Sequence, residues 1–347
     1  DSECSMNSWT YYNALVMHAL LYTEKYMNYV EDYYSENLLE NGHINNQINN
    51  KNEYKIAALD SVYPSYNLFL LNNKDKYKKN ILITYNQLQN QKELKNLGNN
   101  YIHKENNPNW KKYPFSLDGL YMALPFLMKY SNEFINNKNN SLNIQKKVFL
   151  KMQWVFKNLK NDDGLYSHGI DLNLQKNNIV WLRALGWYSM AQIEIIENMK
   201  NETEKEIMIN NFKIFIDDML KFQNKNTKLW SNIVNPKTKI KYNKIETSGN
   251  LMLAYSMLKA YNLGYLKDIK YVNIAIDIFN NILKLKMVRF NNKYYLFDTY
   301  KSSNVKSHEQ DYCNKDLYKI NEAKGIAPLI LTAEEIKIFE KNKRSIK

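Results

Sequence analysis

The chain has 347 residues, of which 44% are hydrophobic and 14% aromatic, enough for a substantial buried core. No apolar run approaches the ~18 residues of a membrane-spanning helix, so we expect no transmembrane helix and no membrane partner. The formal net charge is +13, but the lysines are scattered through Asn-rich stretches and form no single basic stripe. We therefore expect no nucleic-acid partner, and the charge is compatible with an anionic substrate.

The N-terminal stretch DSECSMNSW lacks the basic-then-apolar order of a signal peptide. The compartment stays open, secreted or cytoplasmic. Two cysteines, Cys4 and Cys313, lie near opposite ends of the chain, and the sequence is compatible with free thiols or with a disulfide in an oxidising compartment. Histidines and cysteines do not fall at metal-ligand spacings, and a glycine-rich phosphate loop is missing, so we expect no metal and no cofactor.

Amphipathic helical patterns follow one another in pairs along the chain. The predicted helices are Trp9–Tyr22, Glu24–Leu38, Lys55–Leu71 with a break near Pro64, Asp75–Gln91, Gly119–Phe134, Ser141–Leu159, Trp181–Asn198, Glu204–Gln223, Thr247–Gly264, Asp268–Leu285 and Gly325–Lys341. Short strands are expected at Lys228–Val234 and Arg289–Leu296, where β-branched and aromatic residues cluster. Helix pairs that recur about every 50 residues are typical of a repeat architecture. Because no linker divides the chain, we expect one domain over residues 1–347.

The stretch Ser116–Pro125, SLDGLYMALP, places a carboxylate at a predicted helix start. Asp118 stands directly before Gly119 and an apolar run with helical spacing. Asp is among the favoured helix-capping residues, so Asp118 is either a cap or a reactive carboxylate.

A second stretch, Asp163–Ala191, repeats the tetrad DGLY and continues SHGIDLNLQKNNIVWLRALGWYSMA. His168 follows the tetrad, either as a structural donor or as a site residue. Arg183 and Trp187 are four residues apart and share one face of the predicted helix. An arginine can bind a sugar carboxylate while a tryptophan supports the sugar ring. A stacked Arg–Trp pair at a helix surface is the alternative.

Taken in order, SLDGLYMA, DGLYSHGID and WLRALGW resemble the WLDGLYMA, DGLxxHxxD and WxRGxGW segments of the unsaturated rhamnogalacturonyl hydrolases, glycoside hydrolase family 105. The unsaturated glucuronyl hydrolases of family 88 are their relatives. The resemblance runs from Trp9 to about Phe339. It implies an all-α fold, a single (α/α)6 barrel whose inner helices surround a cleft, with the site in the loops at one end.

The resemblance also implies site residues. Asp118 corresponds to the family's proton-transferring carboxylate, and Asp60 in ALDSVYPS to a second active-site aspartate, with a turn cap as the alternative. His103 and Lys104 match a His–Lys pair, and Tyr11 matches a tyrosine near the family's N-terminus. The expected catalytic residues are thus Asp118 and Asp60, and the expected substrate-binding residues are Tyr11, His103, Lys104, His168, Arg183 and Trp187.

The chain departs from the family at Ser116, where the family carries a tryptophan, and it leaves open whether Trp110 supplies that ring. Glu246 opens a segment that resembles the family's E-x-S-G. We expect Glu246 to line the cleft or to brace a loop, and Ser248 or Thr247 to cap the following helix. The segment AKGIAPLILTAEE is expected to close the barrel.

The implied activity is that of an unsaturated rhamnogalacturonyl hydrolase. Such an enzyme releases the terminal 4,5-unsaturated uronic acid from lyase-generated pectin oligosaccharides by hydrating the C4=C5 vinyl ether. The expected partner is therefore an unsaturated uronide oligosaccharide. The alternatives are an unsaturated glucuronyl hydrolase acting on glycosaminoglycan-type oligomers and a catalytically silent uronide-binding barrel.

Overall fold

The computed structural model describes residues 8–23, 25–45, 58–104 and 107–345. The α-helices in these ranges are α1 (Tyr11–Leu21), α2 (Met27–Asn37), α3 (Tyr63–Tyr66), α4 (Lys78–Asn90), α5 (Asp118–Glu133), α6 (Lys138–Asn158), α7 (Leu182–Asn198), α8 (Glu202–Leu220), α9 (Thr247–Asn262), α10 (Lys270–Lys286) and α11 (Ala323–Ser345). The short strands are β1 (Glu93–Leu94), β2 (Asn100–Tyr101), β3 (Phe115–Ser116), β4 (Gly169–Ile170), β5 (Met287–Phe290), β6 (Lys293–Leu296), β7 (Thr299–Tyr300) and β8 (Tyr318–Lys319). They form antiparallel pairs: β1 with β2, β3 with β4, β5 with β6 and β7 with β8.

The odd-numbered helices form a closed inner ring. Helix α1 packs on α3, α3 on α5, α5 on α7, α7 on α9 and α9 on α11, and α11 packs back on α1. The even-numbered helices lie outside them, for example α6 against α5 and α10 against α9. The all-α fold class and the expected (α/α)6 barrel are confirmed.

A continuous hydrophobic core runs from Trp9 to Leu331 and takes side chains from every helix of the inner ring. Helices α5 and α7 are buried on nearly all sides, as expected of helices that are apolar all round. This shared core supports the proposal that residues 1–347 form one domain. Among the described residues, no helix is long and apolar enough to span a membrane.

The helix predicted over Lys55–Leu71 is broken. Its first residues, and Glu24 of the preceding predicted helix, lie outside the described residues. The remainder consists of a 3-10 turn at Leu59–Ser61, the single helical turn α3 and a second 3-10 turn. Pro64 lies in the first turn of α3. Backbone N–H groups there have no partner within the helix, so the proline costs the helix no hydrogen bond.

The predicted strand Lys228–Val234 does not form as a continuous strand, and only Ser231 and Ile233 make isolated antiparallel bridges, with Ile245 and Trp181. Lys228 has a φ of 56°, and the side chain of Asn250 binds both the Trp230 N–H at 3.0 Å and the Trp230 carbonyl at 2.9 Å. A helix side chain therefore satisfies backbone groups that a neighbouring strand would otherwise pair. The predicted strand Arg289–Leu296 is two strands, β5 and β6. They turn at Asn291 and Asn292, which adopt φ values of 46° and 57°.

Candidate active site

The inner helices begin around a cavity of about 820 Å³. Tyr11, Asp118, Arg183 and Lys324 lie in the first turns of α1, α5, α7 and α11, and each lines the cavity. The sequence-predicted site residues that line it are Tyr11, Asp60, His103, Lys104, Asp118, Arg183 and Trp187. The remaining predicted residue, His168, is fully buried behind Asp118.

The two DGLY segments meet through a short antiparallel pair of strands. Ser116 of β3 pairs with Gly169 of β4, and the Leu117 N–H donates to the His168 carbonyl at 3.0 Å. This pairing places His168 Nε2 2.8 Å from Asp118 Oδ2. Helix α5 has no side-chain capping bond, so the alternative in which Asp118 serves as a cap is wrong.

A second carboxylate–imidazole pair lies on the same cavity. His103 Nε2 is 3.0 Å from Asp60 Oδ1, and Lys104 Nζ is 2.7 Å from Asp60 Oδ2. Burial by itself would raise the pKa of Asp60, but the charges and hydrogen bonds of His103 and Lys104 outweigh it and hold that pKa well below its usual range. Asp60 is therefore an anion at working pH.

Trp110 places an aromatic ring on His103, the residue that Ser116 also contacts. Its indole stacks on His103 with ring centroids 4.2 Å apart and an interplanar angle of 9°, and it lines the cavity. Ser116 Oγ lies 3.3 Å from His103 Nδ1. A Cβ at Gly119 would come within 3.0 Å of His103 Nδ1 and 2.9 Å of Leu59, so glycine is needed for this close approach.

Tyr11 stands among the charged groups of the cavity. Burial raises the pKa of its phenol well above the usual value. The negative charges of Asp60 and Asp118 raise it further, while Arg183 opposes them. Tyr11 is therefore a neutral hydrogen-bond donor at any working pH.

Arg183 and Trp187 are both buried, so they are not an exposed pair at a helix surface. Arg183 Nη2 lies 3.1 Å from Glu246 Oε1, and the guanidinium also donates to Ser248 Oγ and to the Tyr300 carbonyl. Much of its hydrogen-bonding capacity is thus used inside the protein.

Trp187 stacks on Tyr121, with centroids 5.1 Å apart, and meets the edge of Tyr11 at 6.2 Å. The tryptophan presents its ring to the cavity from a fixed position.

Glu246 braces the start of α9. It accepts from the N–H groups of Ser248 at 3.1 Å and Gly249 at 2.7 Å, and from the Tyr300 N–H at 3.0 Å. The expectation that Ser248 or Thr247 caps this helix is wrong, because the Glu246 carboxylate is the cap.

Sequence reasoning missed the contribution of the last third of the chain. The segment AKGIAPLILTAEE closes the ring as expected, but it also brings Lys324 to the cavity, with Nζ 5.8 Å and 5.2 Å from the ring centres of Tyr11 and Tyr12. Lys324 also forms an ion pair with Glu322. Lys324 lies in the first turn of an inner helix, as Asp118 does, and this position could have predicted that it reaches the cavity. Residues of the segment 300–317 complete the wall.

Cys4 lies outside the described residues, and Cys313 is buried. Within the described ranges, no group of three or more His, Cys, Asp or Glu side chains could hold a metal ion.

Comparison with known proteins gives both the fold and the family. The structure is similar to a glycoside hydrolase of family 105 from C. acetobutylicum ATCC 824, at 23% identity and a TM-score of 0.81, with 96% of this chain and 95% of that chain covered. A possible family 105 member from Klebsiella pneumoniae subsp. pneumoniae MGH 78578 is 14% identical, with a TM-score of 0.75 and coverage of 96% and 84%. An unsaturated glucuronyl hydrolase from Bacillus sp. GL1 is 9% identical, with a TM-score of 0.68 and coverage of 96% and 86%.

At these identities the solved structures show the fold alone. The sequence profile of glycosyl hydrolase family 88, by contrast, matches residues 3–339, nearly the whole chain. The protein is thus a glycoside hydrolase, and its chain belongs to glycosyl hydrolase family 88.

Proposed function

We propose that this enzyme is an unsaturated uronyl hydrolase in which Asp118 transfers the proton. One observation carries the proposal: two carboxylates line one cavity, and only one of them has a lysine among its hydrogen-bond partners in the described structure. Asp60 is bound by Lys104 and His103, which keep it ionised, whereas Asp118 has His168 at 2.8 Å. Asp60 is therefore a fixed negative charge, and we assign the proton transfer to Asp118.

The chemistry follows from the vinyl ether of a 4,5-unsaturated uronide. Asp118 delivers a proton to C4, and the ring oxygen stabilises the cation that forms at C5. The fixed charge of Asp60 favours this cationic state. Asp118 then accepts a proton from a water molecule that adds at C5. The hemiketal so formed opens and releases the sugar, with both carboxylates returned to their starting states.

The cavity suits the carboxylate of such a substrate. Lys104, Lys324 and Arg183 line it, and four inner helices point their positive N-terminal ends toward it. Tyr11 adds a neutral donor, and Trp187 and Trp110 offer aromatic surface for sugar rings.

Within this class we propose a rhamnogalacturonyl oligosaccharide as the substrate. The support is the order and spacing of the SLDGLYMA, DGLYSHGID and WLRALGW motifs, which resemble family 105. The second candidate is a glycosaminoglycan-type oligomer. Related folds include a glucuronyl hydrolase specific for heparin and the Bacillus enzyme responsible for degradation of glycosaminoglycan, and the lysines at this cavity are compatible with anionic sugars.

One assay separates these substrates. The protein is incubated with lyase-digested pectin and, separately, with lyase-digested glycosaminoglycan, while the ultraviolet absorbance of the double bond is followed. We expect the absorbance to fall with the pectin digest. A fall with the glycosaminoglycan digest alone would select the second candidate, and binding of either digest without any fall would indicate a catalytically silent barrel.

Saturated oligosaccharides of the same length are the matched control. Without the double bond there is nothing at C4 for Asp118 to protonate, so they should inhibit without being cleaved. Release of saturated uronic acid at a comparable rate would contradict the mechanism and indicate an ordinary exo-acting glycosidase.

A further inference from the structure

We infer that Tyr312 is a positioning residue that holds His168 as the neutral imidazole with its proton on Nε2, directed at Asp118. The inference rests on the proposed function, because it assigns a task to the group behind the proton donor. Tyr312 does not line the main cavity and belongs to none of the motifs in the first two thirds of the chain.

The contact is short and buried. Tyr312 ends a 3-10 turn at Glu309–Tyr312 and is fully buried. Its hydroxyl lies 2.6 Å from His168 Nδ1, across 144 residues of sequence. The other ring nitrogen, Nε2, is the one that lies against Asp118.

Counting hydrogens decides the direction of the contact. The Lys306 backbone N–H donates to the Tyr312 hydroxyl at 2.9 Å, and the Asn177 amide group, which can only donate from its nitrogen, lies 3.5 Å away. A phenol has two lone pairs and one proton, so with both lone pairs directed at donors its proton is left for His168 Nδ1. Nδ1 is then an acceptor, and the single imidazole proton is on Nε2.

This arrangement orients the reactive carboxyl group. Nε2–H donates to Asp118 Oδ2, while the described residues give Oδ1 no hydrogen bond, and Asp118 lines the cavity. When Asp118 is protonated, its proton is therefore on Oδ1, the oxygen that can face the substrate.

The surroundings of His168 supply few other titratable groups. Asp118 of α5 and Tyr312 are hydrogen-bonded to it, and the ring of Trp181, just before α7, packs at 4.8 Å. The cavity that Asp118 lines carries further titratable or charged groups: Tyr11, Asp60, His103, Lys104, Arg183, Lys301, Lys306, Asp311, Glu322 and Lys324.

The first measurement uses the unaltered protein and no substrate. In selectively 15N-histidine-labelled protein, the His168 signals are assigned by comparison with a His168→Asn variant. We expect Nδ1 to be unprotonated and Nε2 protonated across the pH range of activity. A protonated Nδ1 in the wild-type protein would overturn the inference, whether or not the enzyme hydrolyses a uronide.

The second measurement is the Tyr312→Phe variant, which keeps the ring and removes the proton donor. Without the phenol, Nδ1 is free to take a proton, and the imidazolium would stabilise ionised Asp118. We expect kcat to fall about tenfold with little change in KM, and the alkaline limb of the pH–rate profile to move to lower pH.

The matched control is Tyr318→Phe. Tyr318 lies in the same segment and is half-buried, and its hydroxyl donates to the Tyr242 carbonyl at 3.1 Å, away from His168. Its pH profile and His168 signals should match those of the wild type. If Tyr312→Phe lowers only the melting temperature, or lowers the rate with the pH profile and the His168 tautomer unchanged, Tyr312 is a packing residue and the inference is wrong.

Discussion

Asp60 and Asp118 are the same residue type on the same cavity, and their neighbours give them different properties. Lys104 and His103 stabilise the charge of Asp60, whereas the contact of Asp118 Oδ2 within the described ranges is the imidazole of His168. The assignment of one fixed charge and one proton carrier depends on these neighbours and not on the aspartates themselves.

The Asp118→Asn variant should lose turnover and keep its fold. An amide has nearly the same shape and can still accept from His168, but it cannot carry a proton to C4. Acid–base groups contribute about 10²–10⁴-fold, so the loss of kcat should lie in that range or beyond. The measurement is the rate of absorbance loss, together with the circular dichroism and melting temperature of the variant.

The exposed Asp162 gives the matched control for this substitution. Asp162→Asn changes the net charge by the same amount and should turn over substrate like the wild type. If Asp118→Asn also retained a near wild-type rate, another group would have to deliver the proton.

Sequence patterns predicted residues that line the cavity where a motif coincides with a helix start, as at Asp118 and Arg183. They could not show that the Arg183 guanidinium is largely used by Glu246, Ser248 and the Tyr300 carbonyl, because those partners come from other parts of the chain. The role of Tyr312 was not predictable for the same reason, because it depends on a contact with His168, 144 positions earlier in the chain.

Among elements, the joint between α7 and α9 depends on one buried carboxylate. Glu246 caps α9, pairs with Arg183 from the first turn of α7 and accepts from the Tyr300 N–H of β7. It therefore joins two inner helices and a strand at the cavity rim.

The Glu246→Gln variant should destabilise the protein by about 3–5 kcal/mol, because it leaves the buried Arg183 charge without its counter-ion. The expected result is a lower midpoint of urea unfolding with an unchanged m-value. Glu202→Gln, at an exposed position in the first turn of α8, is the control and should cost well under 1 kcal/mol. Equal stability of the two variants would mean that Glu246 does not brace this joint.

The element predictions that failed did so where the environment overrides local preference. The residues Lys228–Val234 have the composition of a strand, but Asn250 of α9 takes the backbone groups of Trp230. The break predicted near Pro64 is confirmed, but the helical pattern on either side of it forms only 3-10 turns around the single helical turn α3. The long inner helices were predicted well because they are apolar over many turns and packing reinforces that preference.

In the whole molecule, a buried polar network crosses the interior of the ring. Glu194 of α7 lies 2.8 Å from Lys259 Nζ of α9 and accepts from the Tyr66 hydroxyl of α3 at 2.7 Å. His18 of α1 lies beside Tyr66, with ring centres 5.7 Å apart, and its Nδ1 is 3.1 Å from Asn67 Oδ1. Four inner helices are thus joined by groups whose charge states matter to the fold.

This network predicts how the stability of the protein depends on pH. The pKa of His18 is about 4, well below its usual value. Burial is the largest cause, and the charge of Lys259 adds to it, whereas the charge of Glu194 acts in the opposite direction. Burial alone would raise the pKa of Glu194, but Lys259 and its hydrogen bonds lower it to about 2. Both pKa values are depressed in the folded state, so each group stabilises the protein above its unfolded pKa and loses that contribution as the pH falls.

Two windows of acid destabilisation follow, and the His18→Gln variant separates them. His18 loses its contribution between about pH 6.5 and 4, roughly 3 kcal/mol at most, and Glu194 loses its own between about pH 4.5 and 2. Glutamine can still donate to Asn67 Oδ1 but does not titrate. The free energy of unfolding of His18→Gln, measured by urea titration at a series of pH values, should therefore stay nearly level from pH 6.5 to 5, where the wild type declines, and should fall only below pH 4.5.

His308→Gln, at an exposed histidine, is the control and should follow the wild-type curve. If His18→Gln also followed that curve, the decline above pH 4.5 would have to come from other groups, and His18 would not be held neutral inside the barrel.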